Sequence, residues 1–598
     1  MASLWLTAVV GAAVWWFVSS AVRFAANYRD ARRLGLPIVL SPINPLNLAF
    51  VVLNAPLRPF LERVIPTAVY EQLKILFYGW EFRDKHGVHD RIGPVFVMVT
   101  PNVNEIWCAD PAMAQAILAR RKDFVLLPEA KWIMRLFGEN MISSDGDTWA
   151  RQRRLIAPNL NERVSEIVWK ESLAQAGHMA DYVLAAPGGV ARDAISSLRA
   201  IAINVLGQAG YGQPQTFRPM QLPRHPDVAM TYVDAISVVV ELLAAAAFVP
   251  LWLLKLSIMP VALQTLGSAI VQLPGLTKDM LDQERRRAAA AAAAAAGGGG
   301  GSGGDGRRDN IMSMLVRLSD QAKGVATTAA TDGDTPAAHA NQILFEDEIA
   351  GNMFLVTAAG FDTTANTLSY AFTLTAAYPD IQAWIQEELD GVFGPPGTAD
   401  GHDPNYVAAF PKLVRCLALM YETLRLFPPL LHISRSISSP QTIATGGKSY
   451  DLIKNCAVHI NVACLHTSPT VWGADADEFR PQRWITQQPP QLPTSSASSS
   501  SSSPPPPPRE ATITPARGTF VPWSGGPRSC PGQKMSQVEF VAAVATLFWR
   551  CRVQPVCRDG ETLAHARRRL VGLTQDSQPR LTLQMKRPDE VEVQFIRR

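Results

Sequence analysis

The chain has 598 residues, long enough to bury a large core and to hold two to four domains. Hydrophobic residues make up 47% and charged residues only 18%, an apolar balance that makes a membrane segment worth seeking. The net charge of +4 is small for this length, and without a long basic run it gives nucleic-acid binding little support.

The first predicted element is that segment. From Leu4 to Val22 nineteen residues carry no charge, and only Thr7, Ser19 and Ser20 are polar. As a helix the run spans roughly 28 Å, close to a bilayer core. The competing reading is a cleaved signal peptide, but no charged segment precedes the run and its apolar core is too long. Arg23, Arg29, Arg32 and Arg33 follow, so the positive-inside rule leaves the rest of the chain cytosolic. The expectation is a single retained transmembrane helix, with residues 1–34 as anchor and basic flank. Pro37, Pro42 and Pro45 then make residues 35–69 a stiff, extended linker and entry segment.

Residues 93–100, "GPVFVMVT", read as a strand in a small N-terminal β region. Residues 236–254 are almost long enough to cross a membrane, but Glu241 and Pro250 interrupt them. A buried or membrane-skimming helix is the expectation there. Residues 285–309 run from three arginines through nine alanines into glycine; residues 324–342 are small and polar; residues 486–517 are serine- and proline-rich. Each lacks the apolar side chains that offset backbone ordering, so all three read as flexible surface insertions, with the alanines able to prolong a helix. Residues 346–377 read as one long helix ending before Pro379. Leu413, Cys416, Leu417, Met420 and Leu424 keep helical spacing up to Pro428 and Pro429. Another helix follows Cys530, with Val538, Val541, Ala545 and Phe548 on one face. The fold class is mainly α with a small β region.

The seven cysteines, at 108, 416, 456, 464, 530, 551 and 557, include no C-x-x-C pair, against zinc ribbons, thioredoxin chemistry and most iron–sulfur clusters. Their odd number and low density also argue against a disulfide framework. Cys530 stands apart, in "WSGGPRSCPGQ" (523–533). Glycines let the backbone approach a sulfur closely, Pro527 and Pro531 stiffen the loop, and the following helix aims its positive end at the same place. Such surroundings suit a shielded thiolate that ligates a metal, although a structural turn with an incidental cysteine remains the alternative. A mononucleotide P-loop is excluded, because Gln533 stands where that motif requires lysine. The ten histidines are dispersed, and His432 adjoins the "HISRS" segment without forming a ligand pair.

The loop resembles the haem-binding loop of the cytochrome P450 superfamily. Trp523, Gly526, Arg528, Cys530 and Gly532 match its aromatic, glycine, arginine, cysteine and glycine positions, and the tryptophan is similar to filamentous-fungal members. The resemblance makes Cys530 the axial thiolate on the iron of haem b, favouring O–O cleavage. Other stretches follow in the family's order, covering nearly everything from about residue 70 onward, so residues 70–598 are expected to form a P450 catalytic domain with the three insertions as extra loops. "AGFDTT" (359–364) matches the family's oxygen-binding groove, which implies that Asp362 and Thr363 relay protons and that Gly360 leaves room for the ligand. "ETLR" (422–425) implies a buried Glu422–Arg425 pair joined by Arg483 of "FRPQRW", where Gln482 replaces the usual glutamate. Trp149, Arg153, Arg435 and Arg528 match the residues that hold the haem propionates.

The resemblance implies a membrane-bound monooxygenase of the endoplasmic reticulum that hydroxylates or epoxidises a lipophilic small molecule, in secondary metabolism or xenobiotic oxidation. No flavin or iron–sulfur domain is expected from the sequence. Electrons are therefore expected from NADPH through a separate cytochrome P450 reductase, with cytochrome b5 as a candidate second donor. The competing readings are a haem-thiolate lyase or isomerase that does not use dioxygen, and a non-catalytic haem-binding membrane protein. The presence of Asp362 and Thr363 speaks against the first, and the intact chemical positions against the second.

Overall fold

The computed structural model describes residues 2–44, 60–61, 63–221, 225–296, 310–317, 320, 344–396, 405–454, 456–488 and 509–598. The helices that position the site are, in chain order, α1 (Ala2–Arg33), α2 (Trp80–Asp84), α3 (Gly146–Ile156), α4 (Glu162–Ala185), α5 (Ala194–Tyr211), α6 (Tyr232–Glu241), α7 (Val261–Ala296), α8 (Glu346–Ala377), α9 (Val414–Leu426) and α10 (Gln533–Arg550). The strands are β1 (Ile38–Leu40), β2 (Val95–Val99), β3 (Asn104–Cys108), β4 (Phe124–Val125), β5 (His432–Ile437) and β6 (Ala457–Asn461), joined as one sheet in the order β1-β2-β3-β6-β5-β4.

The apolar N-terminal run and its basic flank form one continuous helix. Trp15, Trp16 and Phe17 are exposed, and the side chains of residues 1–6, 8 and 9 lie outside the described residues. The second half of α1 docks on the sheet: Ala31 is buried, Asn27 Nδ2 donates to Thr100 O at 2.8 Å, and Asn104 Nδ2 donates to Asn27 O at 2.9 Å. Among the described residues no helix is long and apolar enough to cross a membrane. The expected transmembrane helix is therefore not shown by the fold. The extended linker differs from expectation at its start. Residues 38–40 are a strand, parallel to β2, because a chain already extended by Pro37 needs little further ordering to join a sheet edge. Residues 45–59 lie outside the described residues.

Strand alternation gives the sheet two different faces. Val95, Val97, Val99, Ile106, Val458, Ile460 and Ile433 enter one apolar cluster, whereas Phe96, Met98 and Trp107 enter another with Trp80 of α2. The expected strand at 93–100 is β2.

The long predicted helix is α8, with the predicted bounds. Glu348 accepts from the Phe345 backbone N–H at 3.0 Å to cap its start, and Pro379 follows its end. The helix is buried on nearly every side, against α5 among others, and its apolar residues join the main core with those of α4, α9 and α10. Burying every face explains why its pattern is apolar all round rather than amphipathic. The helix expected over 236–254 is corrected to three pieces: α6 ends at Glu241, and short helices follow at Leu243–Phe248 and Leu251–Leu254. Leu242 leaves helical geometry with φ −113° and ψ 31°, and Pro250 precedes the last piece.

The alanine run continues α7 as far as Ala296, and residues 297–309 and 324–342 lie outside the described residues. The ends of the third insertion are ordered, contrary to expectation. Ile485–Gln488 pairs antiparallel with Arg509–Thr512, so the two ends leave the body side by side, and residues 489–508 lie outside the described residues.

Candidate active site

The cysteine loop is closed by its own backbone. The Cys530 N–H donates to Trp523 O at 2.9 Å, and Ser529 N–H to Gly526 O at 3.1 Å. Gly526 has φ +64°, and a Cβ there would lie 2.3 Å from Leu118 O, so both conformation and space require glycine. Gly532 has ordinary φ −87°; its contribution is the backbone N–H, which supports negative charge on the Cys530 sulfur. Trp523 braces the loop through Nε1, which donates to Ser536 Oγ at 3.1 Å.

Cys530 is exposed, yet the crowding of protein around it pushes its thiol up; the Gly532 N–H and the Arg153 guanidinium work in the opposite direction. The loop alone does not make a thiolate, and a bond to a metal would complete the deprotonation. Among the described residues no group of three or more histidines, cysteines or carboxylates could hold a metal ion. Cys530 therefore suits a metal that brings its other ligands with it.

Beside the loop lies a cluster of cations with too few anions. Trp149, buried on α3, has the guanidinia of Arg121 and Arg528 over its ring, at 4.5 and 4.9 Å from the centroid. Arg528 Nη2 donates to Asp145 Oδ1 at 2.6 Å and to Ser144 O at 3.0 Å, while its buried Nε has no partner. Arg435, on β5, is 8% exposed; burial, then the charge of Arg528, pushes it down to about 10. Asp145 opposes both, but it also pairs with Lys131. Excess positive charge with an unused buried donor fits the carboxylates of an anionic macrocycle. Arg153, one turn along α3 from Trp149, donates from Nη1 to Ser529 O at 2.8 Å, bracing the cysteine loop. Arg121 was not found by sequence reasoning, and its only signal was the basic "RRK" at 120–122.

On α8 the only open strip near the motif is Val356, Ala359, Gly360 and Thr363, at helical spacing on one face. Thr363 Oγ1 donates to Ala359 O at 2.7 Å. Asp362, 3% exposed, turns away from this strip. Its Oδ2 accepts from Thr582 Oγ1 at 2.5 Å and its Oδ1 from Arg199 Nη1 at 3.3 Å. Asn366 Nδ2 donates to Thr582 Oγ1 at 2.8 Å, and Arg199 Nη2 donates to Glu241 Oε2 at 3.0 Å. Glu241 also accepts from Arg580 at 2.8 Å. Asp362 and Thr363 are thus neighbours in sequence whose side chains diverge, and Arg199, Glu241 and Thr582 carried no local motif that would have found them. The expected room beside Gly360 is partly taken by α5, since a Cβ there would meet Leu206 at 3.2 Å.

The supporting ion pair forms as expected. Glu422 and Arg425 are both fully buried and bidentate, at 2.8 and 2.9 Å. Glu422 also accepts from Arg483 Nε at 3.0 Å, Arg480 N at 2.8 Å and Trp484 Nε1 at 2.9 Å. Burial pulls Arg483 down, but Glu422 and Asp475 outweigh it and leave its affinity for the proton raised. Gln482 is exposed at the surface, which explains why replacing the usual glutamate leaves the network intact.

The cytochrome P450 family profile matches residues 73–577. A phomenoic acid biosynthesis cluster cytochrome P450 monooxygenase of Leptosphaeria maculans is 30% identical, over 92% of each chain. A cytochrome P450 monooxygenase of Arthrobotrys oligospora is 26% identical over 96% of this chain and 95% of its own, and one of Penicillium roqueforti is 25% identical over 89% and 88%. The family brings with it a haem-thiolate cofactor, whose fit the lone Cys530 and the arginine cluster support, and a redox partner. The chain belongs to the cytochrome P450 family, as a monooxygenase.

Proposed function

We propose that this monooxygenase activates dioxygen at a haem held by Cys530 and inserts one oxygen atom into a C–H bond or double bond of a lipophilic small molecule. The observation that carries the reading is that Cys530, which among the described residues belongs to no group of three or more metal-ligating side chains, stands beside an arginine cluster short of anions. Bound haem would supply the binding and reductive activation of dioxygen. Cys530 Sγ would ligate its iron, and Arg435, Arg528 and Trp149, with Arg121 over the indole, would hold its carboxylates.

Thr363 lies on the open strip with its hydroxyl proton committed to Ala359 O, which leaves its lone pairs to orient a water or protonated oxygen. Asp362 is held by a contact to Arg199 that is long for a hydrogen bond, while the same guanidinium bonds Glu241 more closely. Release of Asp362 from Arg199 and Thr582 would carry a proton towards Thr363, with Glu241 and Arg580 leading out to solvent. The presence of this acid and threonine favours oxygen chemistry over a rearranging lyase.

Similarity to a monooxygenase from a biosynthesis cluster supports a substrate from secondary metabolism. The exposed apolar half of α1, followed by arginines, supports an anchor in the endoplasmic reticulum membrane with the body facing the cytosol. NADPH-cytochrome P450 reductase would deliver electrons, with cytochrome b5 as a second donor. The test is the ferrous–CO spectrum of the haem-loaded chain, expected to show a red-shifted Soret band that Cys530→Ser abolishes. Folded, haem-loaded protein without that band would refute the thiolate.

A further inference from the structure

The face of the sheet opposite Arg435 holds a polar cluster that the site does not use. Trp107, His459 and Ser434 lie in one row across β3, β6 and β5, and Glu105 and His432 stand on the same face two positions along their strands. His432 Nδ1 and Glu81 Oε1, from α2, are 2.6 Å apart, and His459 Nδ1 and Ser434 Oγ are 2.8 Å apart. His459 Nε2 and Glu105 Oε2 face each other at 3.9 Å. Glu81, Glu105 and His459 are each 2% exposed or less. Glu81 Oε2, Glu105 Oε2, His459 Nε2 and Trp80 Nε1 are buried without a hydrogen-bond partner, and the Trp107 N–H works against the burial of Glu105 by favouring its charge. Orphaned polar atoms are rare in protein interiors, and this many in one place needs a reason.

We propose that Glu81, Glu105, His432 and His459 form one buried polar cluster that locks α2 onto the back of the strand carrying Arg435, and that loss of the Glu105 proton releases it. With Glu105 neutral, no second negative charge stands in this space and Glu81 is left alone with the His432 imidazole; the 3.9 Å from Glu105 to His459 Nε2 is too long for a hydrogen bond. With Glu105 ionised, two carboxylates share an enclosed space, and among the described residues His432 is the imidazole that Glu81 contacts there. The other titratable groups around the cluster do not relieve this. Tyr78, ahead of α2, is pushed up to about 12 by burial and by Glu81. His89, on the helix Gly87–Ile92, is held down to about 4 by burial. Asp84 is engaged by Lys74.

The direction of the pH effect follows. Burial raises Glu105 from 4.5 to about 8, so its contribution to stability is full below 4.5 and is lost as pH rises through about 8. Burial, then His432, holds His459 well below 6.5, so its contribution is full above 6.5 and is lost as pH falls. The two slopes offset each other between 4.5 and 6.5, and a net loss remains from 6.5 to about 8. Because His432 and Arg435 alternate on one strand, movement of β5 on this side reaches the arginine on the other. Glu81 and His432 are therefore positioning residues for Arg435; that consequence rests on Arg435 being a haem contact, whereas the locking of α2 does not.

Hydrogen exchange of the full chain tests this, read in the segments 78–92 and 430–437 and corrected for intrinsic rates. Protection in the native chain is expected to fall about tenfold or more between about pH 6.5 and about pH 8.5. Glu105→Gln should keep its protection throughout, and Glu81→Gln, which removes the second carboxylate, should lessen the loss. Constant protection in the native chain would overturn the proposal, as would a loss in either variant equal to the native one. Should Glu105→Gln fail to fold, the native chain and Glu81→Gln decide. Haem transfer from the holoenzyme to apomyoglobin should quicken over the same range. An unchanged rate while α2 opens would overturn the link to Arg435, and the ferrous–CO spectrum separates that outcome from failure of the haem reading.

Discussion

Glu422→Gln is the most demanding test of how the proximal side is built. The Glu422 carboxylate is fully buried and accepts from Arg425 twice, from Arg483, from the Arg480 backbone and from Trp484. The amide keeps the shape but removes the charge, leaving Arg425, itself fully buried, without a counter-ion. Backbone oxygens of His466, Ala476 and Glu478 still accept from Arg425, yet they cannot neutralise it. Stranding a buried charge in this way costs about 3–5 kcal/mol, against a total of about 5–15 kcal/mol for a typical domain. Arg425→Met should cost less, because Glu422 keeps Arg483 as a cationic partner. The double variant removes both charges and should recover about 2–3 kcal/mol relative to additivity, with Arg483 accounting for part of the residual loss. Equilibrium urea unfolding of the three variants measures these terms. A coupling below about 0.5 kcal/mol would refute the claim that the pair acts as a unit.

Two further outcomes bear on the site. Gly526→Ala forces a left-handed residue to carry a Cβ against the Leu118 backbone; a stability loss above about 2 kcal/mol and poor haem retention are expected, and a thermal midpoint unchanged from native would contradict the packing argument. Thr582→Val leaves Asp362 Oδ2 and Asn366 Nδ2 unpaired, at a cost of about 1–3 kcal/mol. If Asp362 carries the proton, the fraction of NADPH electrons lost to peroxide and the solvent isotope effect should both change, and Thr582→Ser should restore them; an unaltered ratio would remove Thr582 from the relay.

Much of the fold and of the site is legible in the sequence because local chemistry dictates it. The stop at Pro379 and the carboxylates that open α8 bound that helix from neighbouring residues alone. The cysteine loop shows itself through glycines and prolines whose roles are conformational, and Gly526 meets that requirement where it stands. The ion pair of Glu422 and Arg425 shares one helix, so its spacing is enough to predict the contact. In residues 236–254 the interrupting Glu241 and Pro250 are visible in the sequence, and the helix breaks beside both, at Leu242 and before Leu251.

By itself, the sequence determined which residues could be a metal ligand, a groove and a support, since those roles depend on residue type and short spacing. Only the tertiary structure decided which of them meet. Asp362 and Thr363 are adjacent yet point apart, because successive helix positions differ by about 100° around the axis. Asp362 instead meets Arg199 and Thr582, and Arg528 meets Arg121, across separations no local pattern encodes. Whether a buried charge is answered or left wanting an anion is a property of everything packed around it. That is why the arginine cluster, and the acid–imidazole cluster behind β5, emerge only once the chain has folded.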